Sequence, residues 1–248
     1  MLITDCIPEV PPHAFTIGTF DGVHLGHQAI FQQLKATGKP TAVLTFAAHP
    51  LKTLKPGQEP PLITPLPLKL TLLKEQGLCL AITIPFSPKF ASLTYQQLLR
   101  NLPLSHLILG EGASFGQGRD GTQENVSAWG KEHHIPVEYI AKTLPASSQK
   151  IRDAILLGDL SLAESLLGRP HLLYVPAHTT RFSVAGLAMP PDGNYLFSLR
   201  TPSSKGNPAK SRSGPKIVGT IRSGWAHFTT AFSEPTILLF NPRESHVI

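Results

Sequence analysis

The chain has 248 residues, a formal net charge of +6 and two cysteines, Cys6 and Cys79. Two cysteines so far apart exclude a disulfide framework and a cysteine-rich metal site, and no apolar run is long enough to span a membrane. Three prolines and two acidic residues fall within the first twelve positions, where a secretory signal needs an apolar core. The sequence therefore predicts a cytoplasmic protein with reduced thiols.

The first predicted strand covers residues 14–17 and leads into residues 18–27, which read Gly-Thr-Phe-Asp-Gly-Val-His-Leu-Gly-His. Apolar residues after this stretch recur with helical spacing, so a helix is predicted to follow directly. Glycines let the backbone turn sharply and approach a ligand. His24 and His27 are three residues apart where the helix begins, so they can share one face. A helix N-terminus offers unpaired N–H groups, and the sequence therefore predicts a site for phosphate oxygens here.

The tetrapeptide at 24–27 matches the HxGH signature of the nucleotidyltransferase superfamily. The longer stretch, 18–27, resembles the opening of the prokaryotic bifunctional riboflavin kinase/FMN adenylyltransferase (FAD synthetase) family. The alternative is a glycine-rich turn that carries two solvated histidines. The strand before the motif and the helix after it favour the functional interpretation.

A second strand is predicted at 41–46, and the family has a Thr-Phe-x-x-His-Pro pattern at its end, in a loop that closes on the flavin. Thr45, Phe46, His49 and Pro50 match that pattern. The resemblance therefore implies that Phe46, His49 and Pro50 bind flavin. Without it, His49 would be interpreted as an ordinary polar loop residue.

A helix is predicted from Thr64 to about Gly77, a third strand at 78–84, and a short helix capped by Thr94. A fourth strand, 106–110, leads into a loop with four glycines.

The family usually shows Gly-x-Asp/Asn-Phe-x-Phe-Gly in that loop, and the resemblance makes Phe115 a flavin-binding residue. This chain keeps Gly110, Phe115 and Gly116 but has Gly112 where a polar side chain is expected. Glu111 is the nearest side chain that could partly substitute.

A further helix, around 129–133, and a strand at 137–140 complete the alternation. Strands alternating with helices predict a parallel sheet with right-handed crossovers, whose ligands bind beyond the carboxyl ends of the strands. The loops after the first, second and fourth predicted strands all lie at that edge. The predicted fold class is α/β, a Rossmann-like nucleotidyltransferase domain.

Residues 147–152 resemble the family's second phosphate signature, Ser-Ser-Thr-x-Ile-Arg. Ser147, Ser148, Ile151 and Arg152 match it, and Gln149 replaces the threonine. Hydroxyls at a helix N-terminus can both cap the helix and bind phosphate, and Arg152 adds a planar charged donor. The alternative is a plain N-cap beside a surface arginine.

The resemblance weakens after residue 170, where the family continues into a riboflavin kinase β-barrel with a Pro-Thr-Ala-Asn motif. That tetrapeptide does not occur in this chain, although 216–221 and 236–240 are strand-like. The predicted domains are therefore 1–170, an FMN adenylyltransferase domain, and 171–248, a degenerate kinase-like β region that forms a partial barrel. Residues 193–233 contain no Asp or Glu but six basic residues, and 201–216 is predicted to be a solvated loop.

The resemblance implies a FAD synthetase, in which the FMN phosphate attacks the α-phosphorus of ATP and pyrophosphate leaves. His24, His27 and Arg152 would be catalytic, and Mg²⁺ would bridge triphosphate oxygens, with no metal-binding residue assigned. The implied ATP-binding residues are Gly18, Thr19, Phe20, Asp21, Gly22, His24, Gly26, His27, Ser147, Ser148 and Arg152.

Three alternatives stay open: a chain that keeps riboflavin kinase activity, another HxGH adenylyltransferase acting on phosphopantetheine or NMN, and a non-catalytic module that binds nucleic acid. The flavin-loop pattern disfavours the second. The third has only Trp225, Phe228 and Phe232 as stacking residues and no RNA-binding signature. The predicted partners are ATP and FMN, without a membrane or nucleic acid, and the sequence leaves the oligomeric state open.

Overall fold

The computed structural model describes residues 1–142, 146–200 and 216–241. The chain forms two compact units, here called the N-terminal unit (Met1–Pro60 and Leu70–Leu144) and the C-terminal unit (Pro61–Lys69 and Pro145–Ile248). The predicted solvated loop, apart from Lys216, lies outside the described residues. The boundary predicted at residue 170 stays a prediction.

The N-terminal unit is built on a six-stranded sheet in the order β1-β4-β3-β2-β5-β6, with every neighbouring pair parallel. Strands β2, β3 and β4 are buried along their whole length, as expected for strands covered on both faces. The parallel sheet predicted from the alternation is therefore confirmed. The strands are β1 Leu2–Thr4, β2 His13–Ile17, β3 Thr41–Phe46, β4 Leu80–Ile84, β5 Leu104–Gly110 and β6 Val137–Ile140.

Helices connect these strands and bury an apolar stripe. In the first of them Ile30, Phe31 and Leu34 are buried, the spacing from which this helix was predicted. Thr94 accepts a hydrogen bond from Gln97 N at 3.2 Å, and Gln97 Oε1 accepts one from Thr94 N at 2.9 Å, which forms a capping box. The helices are α1 Leu25–Ala36, α2 Leu51–Leu54, α3 Leu66–Glu75, α4 Pro88–Ala91, α5 Tyr95–Asn101 and α6 Gln123–Glu132.

Within its described residues, the C-terminal unit contains two complete helices, the start of α3 and a six-stranded antiparallel sheet in the order β7-β12-β9-β10-β11-β8. Among the described residues no pairing joins β7 to β8, so the sheet is an open, partial barrel, as predicted. Phe197, Phe228 and Phe240 fill its core. The elements are α7 Ser148–Leu156, α8 Leu160–Leu167, β7 Leu172–Val175, β8 Arg181–Ser183, β9 Gly193–Leu199, β10 Lys216–Arg222, β11 Trp225–Phe228 and β12 Thr236–Phe240.

One segment of the first half of the chain belongs to the C-terminal unit. Ile63, in Pro61–Lys69, shares an apolar cluster with buried residues of α7, of α8 and with Ala188. No described helix is long and apolar enough to cross a membrane.

Candidate active site

The loop between β2 and α1 has an unusual backbone. Phe20, Gly22 and Val23 have φ values of +48°, +85° and +44°. The left-handed region costs a non-glycine residue about 1–2 kcal/mol, and a β-branched residue such as Val23 is rarely found there. Backbone strain of this kind persists only where surrounding contacts enforce it, and it clusters at functional sites.

Packing and hydrogen bonds hold this loop in place. Phe20 and Val23 are 2% and 1% exposed, and the Phe20 ring packs against Phe31 at 5.2 Å between centroids. Gln28 Nε2 donates to Val23 O at 3.0 Å. Gly18 N donates to Leu44 O at 3.1 Å, which ties the loop to strand β3.

His24 and His27 lie side by side at the start of α1. His24 is the N-cap residue, with extended backbone at φ −76° and ψ 173°. Its ring stacks on that of His27, with centroids 3.6 Å apart and an interplanar angle of 20°. The edge of Phe20 contacts His27 at 5.1 Å. The two stacked imidazoles thus lie at a helix N-terminus, a position suited to phosphate oxygens.

The remaining residues of the predicted ATP loop shape its backbone. Asp21 is buried at 3% exposure, and Thr19 O accepts a hydrogen bond from Thr45 Oγ1 at 3.0 Å. A Cβ at Gly18 would lie 3.0 Å from the Phe20 ring, so a larger residue there would displace that ring. Gly26 lies in the first turn of α1.

The predicted flavin loop follows β3. His49 Nδ1 accepts a hydrogen bond from Leu51 N at 3.2 Å, so the proton of the neutral ring is on Nε2. Pro50 is the N-cap residue of α2. Phe46 is 9% exposed and packs edge-to-face against Phe86 at 5.2 Å.

Phe86 and Phe90 were missed by the sequence analysis. With Phe46 they form an aromatic cluster, in which Phe90 lies 5.8 Å from Phe46 and 5.7 Å from Phe86. Both residues follow β4, the neighbour of β3 in the sheet, so their position after a strand was the signal available in the sequence. The cluster is half-buried and offers an apolar surface at the carboxyl edge.

The loop after β5 is tied to the segment around α5. Phe115 O accepts a hydrogen bond from Gly121 N at 2.8 Å, and Asp120 Oδ1 accepts one from Tyr95 N at 3.1 Å. Glu111 Oε2 accepts one from Lys142 N at 3.1 Å. The carboxylate suggested as a substitute for the side chain missing at Gly112 is therefore engaged by the backbone.

The sheet order brings the predicted loops of the N-terminal unit together. Strands β3, β2 and β5 are adjacent and parallel, so the loops that carry His24, His49 and Phe115 all begin at the same edge of the sheet. Ser147, Ser148 and Arg152 lie in the C-terminal unit.

The second phosphate signature opens α7. Ser147 caps the helix, since its Oγ accepts from Lys150 N at 3.2 Å. Arg152 is 5% exposed, so the alternative of a surface arginine is wrong. Its Nε donates to Pro61 O at 2.9 Å and its Nη1 to Gln149 Oε1 at 3.2 Å. The glutamine that replaces the family's threonine therefore helps to orient the arginine.

The described residues contain no group of three or more His, Cys, Asp or Glu side chains that could hold a metal ion. Mg²⁺ commonly binds through the phosphates of a nucleotide, which makes it part of the substrate.

Comparison with known proteins identifies the family to which the chain belongs. The profile of the family described as FAD synthetase matches residues 7–153. A bifunctional riboflavin kinase/FMN adenylyltransferase from Escherichia coli (strain K12) is 34% identical over 168 residues, covering 62% of this chain and 54% of the relative. A FAD synthetase from Listeria monocytogenes is 32% identical over 195 residues, covering 73% of this chain and 78% of the relative. The chain thus spans about half the length of the bifunctional relatives it matches.

Among solved structures, one titled macrolide-efflux protein from Streptococcus pneumoniae superimposes with a TM-score of 0.71. The match covers 97% of this chain and 98% of that one, at 23% sequence identity. At that identity the likeness concerns the fold alone, and it extends over both units.

Proposed function

Because the chain belongs to the FAD synthetase family, we propose that it is an FMN adenylyltransferase, which transfers AMP from ATP to FMN and releases pyrophosphate. The observation that carries the proposal is the stacked pair His24 and His27 in a strained loop at the carboxyl edge of a parallel sheet. The relatives named above support the same reaction.

In the proposed reaction a phosphate oxygen of FMN forms a bond to the α-phosphorus of ATP, and the bond to the β-phosphate oxygen breaks. Pyrophosphate leaves with the negative charge, and no covalent enzyme intermediate is needed. Catalysis then rests on alignment and on stabilising charge at the phosphate oxygens. His24 and His27 donate hydrogen bonds to these oxygens as the charge builds.

Arg152 is proposed to hold phosphate oxygens of ATP. Its guanidinium is fixed by Pro61 O and by Gln149, so its orientation is set before a nucleotide binds. Fixing a donor in advance lowers the cost of ordering it in the transition state. Ser147 and Ser148 contribute hydroxyl and backbone groups at the N-terminus of α7.

Flavin is proposed to bind at the loops after β3 and β5, against Phe46, His49, Pro50 and Phe115. The aromatic cluster of Phe46, Phe86 and Phe90 supports this, since an isoalloxazine ring is large, flat and apolar over much of its face. The same cluster disfavours phosphopantetheine and NMN, neither of which carries a large fused aromatic ring.

ATP is proposed to bind as its Mg²⁺ complex. The protein is proposed to be cytoplasmic, as its composition predicts. The activity as a riboflavin kinase is proposed to be lost or weak, because the Pro-Thr-Ala-Asn motif is missing.

The positions of the candidate stacking residues do not favour the nucleic-acid alternative. Phe228 is 8% exposed and Phe232 packs against the core of the antiparallel sheet. Only Trp225 of the three candidate stacking residues is exposed, at 39%, and Arg181 already lies over its ring at 4.4 Å.

The test is incubation of the full chain with ATP, Mg²⁺ and either FMN or riboflavin, with the products separated by chromatography. We expect FAD and pyrophosphate in equal amounts from FMN, and a large loss of both in His24→Ala. Failure to form FAD from FMN, or adenylylation of phosphopantetheine or NMN at a higher rate, would contradict the proposal.

A further inference from the structure

A short parallel bridge joins the Pro61–Lys69 segment to the connection between β8 and β9 in the C-terminal unit. Leu62 pairs with Leu187 as an isolated bridge. Leu62 N donates to Gly186 O at 2.8 Å, and Ala188 N donates to Leu62 O at 2.8 Å. We call these residues, 61–62 and 186–188, the 62–187 bridge.

The first strand of the bridge, residues 61–62, contacts Arg152. The carbonyl that accepts from Arg152 Nε, at 2.9 Å, belongs to Pro61, the residue directly before the bridged Leu62. Side chains reinforce this contact, because Ile63 and Ala188 pack in one cluster with Ile151, the neighbour of Arg152 on α7. A shift of the bridge would therefore move the acceptor that orients the guanidinium.

The far side of the bridge is fixed to the sheet. Val184 N donates to Gly224 O at 2.9 Å, and Val184 packs in the core of the sheet. Ala188 O bonds to His171 Nε2 at 3.1 Å, and the His171 ring stacks on Phe240 of β12 at 5.1 Å. Residues 184–188 are thus anchored at one end to Gly224, which precedes β11, and at the other through His171 to Phe240 of β12.

We propose that the antiparallel sheet positions Arg152 for the phosphates of ATP through the 62–187 bridge, with Ala188 and His171 as positioning residues. This inference rests on the proposed function, because it concerns a residue proposed to bind ATP. It gives the kinase-like region a role in adenylyl transfer that needs no riboflavin kinase site.

Two variants of the full chain cut the bridge at different bonds. Ala188→Pro removes the N–H that bonds to Leu62, and His171→Leu removes the donor to Ala188 O while keeping an apolar side chain against Phe240. Each is expected to raise the KM for ATP, Ala188→Pro by roughly tenfold, as for a misplaced positioning group. The KM for FMN should stay within about twofold. His171→Leu keeps the test decisive if Ala188→Pro does not fold.

The matched control is Gly219→Ala in β10. Its Cβ would lie 2.4 Å from the Phe228 ring, so it destabilises the same sheet without touching the bridge. Its KM for ATP should equal that of the wild type at a temperature where all variants are folded. An equal rise in Gly219→Ala would overturn the proposal, because general loosening of the sheet would then suffice.

A double-mutant cycle separates positioning from packing. In an Arg152→Met background no side-chain N–H is left to donate to Pro61 O, so the bridge variants should raise the KM for ATP no further. Effects that add in full would overturn the proposal.

If the wild type forms no FAD, the proposed function is wrong, but the proposed role of the 62–187 bridge can still be tested. The test is then the affinity for ATP·Mg²⁺, measured by calorimetry. Binding weakened in Ala188→Pro but not in Gly219→Ala supports the proposal, whereas equal affinities or no binding by the wild type overturn it.

Discussion

Replacing Gly116 by alanine is expected to destabilise the N-terminal unit more than the same change two residues along the chain. Gly116 has a φ of +83°, and a Cβ there would lie 2.2 Å from Asp120 Oδ1 and 2.6 Å from Tyr95 N. The left-handed conformation costs about 1–2 kcal/mol, and the overlap with backbone adds about 1–3 kcal/mol. The sum is about 2–5 kcal/mol.

Gly118→Ala is the matched control, because Gly118 also has a positive φ, +61°, but a Cβ there would have no described heavy atom outside its own turn within 4 Å. It should therefore cost only the conformational part, about 1–2 kcal/mol. The difference between the two variants isolates the overlap with Tyr95 and Asp120.

The assay is urea unfolding followed by tryptophan fluorescence in a Trp225→Phe background, where Trp129 reports on the N-terminal unit alone. The chain has two tryptophans, and Trp129 is 4% exposed in the core of that unit. The unfolding midpoint of Gly116→Ala should lie roughly 1 M below that of Gly118→Ala. Equal midpoints would refute the reasoning, since the overlap would then be relieved without cost.

Three further predictions concern the chemistry and its pH dependence. His24→Ala should lower kcat for FAD formation by about two to three orders of magnitude with an unchanged circular dichroism spectrum, and an unchanged kcat would remove His24 from the mechanism. The full chain should form little FMN from riboflavin and ATP, and riboflavin-dependent FMN at the rate of FAD formation would contradict the loss of the kinase. Burial, with a smaller contribution from Arg169, lowers the pKa of His171 to about 3. Between about pH 6.5 and pH 3, His171 is protonated in the unfolded chain but neutral in the folded chain. The free energy of unfolding should therefore decrease by up to about 1.4 kcal/mol for each unit by which the pH is lowered in this window. His171→Leu should flatten that fall, and equal slopes in the two proteins would speak against a neutral buried ring.

Five of the six strands of the parallel sheet could be predicted from the sequence, whereas only two strands of the antiparallel sheet, β10 and β12, could. Strand β3 is rich in apolar and β-branched residues and was predicted with its bounds, Thr41–Phe46. β8, Arg181–Ser183, has three residues that are mostly exposed, so no periodicity marks it. β1 and β11 were also missed, although β6, which is as short as β11, was predicted with its bounds from the alternation of strands and helices.

The site divides in a similar way. His24 and His27 lie in one contiguous motif, so their spacing alone predicted that they share a face, and their rings stack. The burial of Arg152 depends on Pro61, which is 91 residues away in the sequence, and no local pattern could reveal it. The aromatic cluster was missed because Phe46, Phe86 and Phe90 meet only once β3 and β4 are paired.

The membership of Pro61–Lys69 in the C-terminal unit also constrains folding on the ribosome. Ile63 and Leu68, 1% and 0% exposed in the finished protein, emerge well before α7 and Ala188, the partners of Ile63. Until those partners are synthesised, Ile63 lacks the apolar cluster that it joins in the folded chain, and transiently exposed apolar surface is what chaperones bind. Ribosome-bound chains that stop before α7 should therefore be cut between residues 61 and 69, and chains that extend past β12 should be protected there.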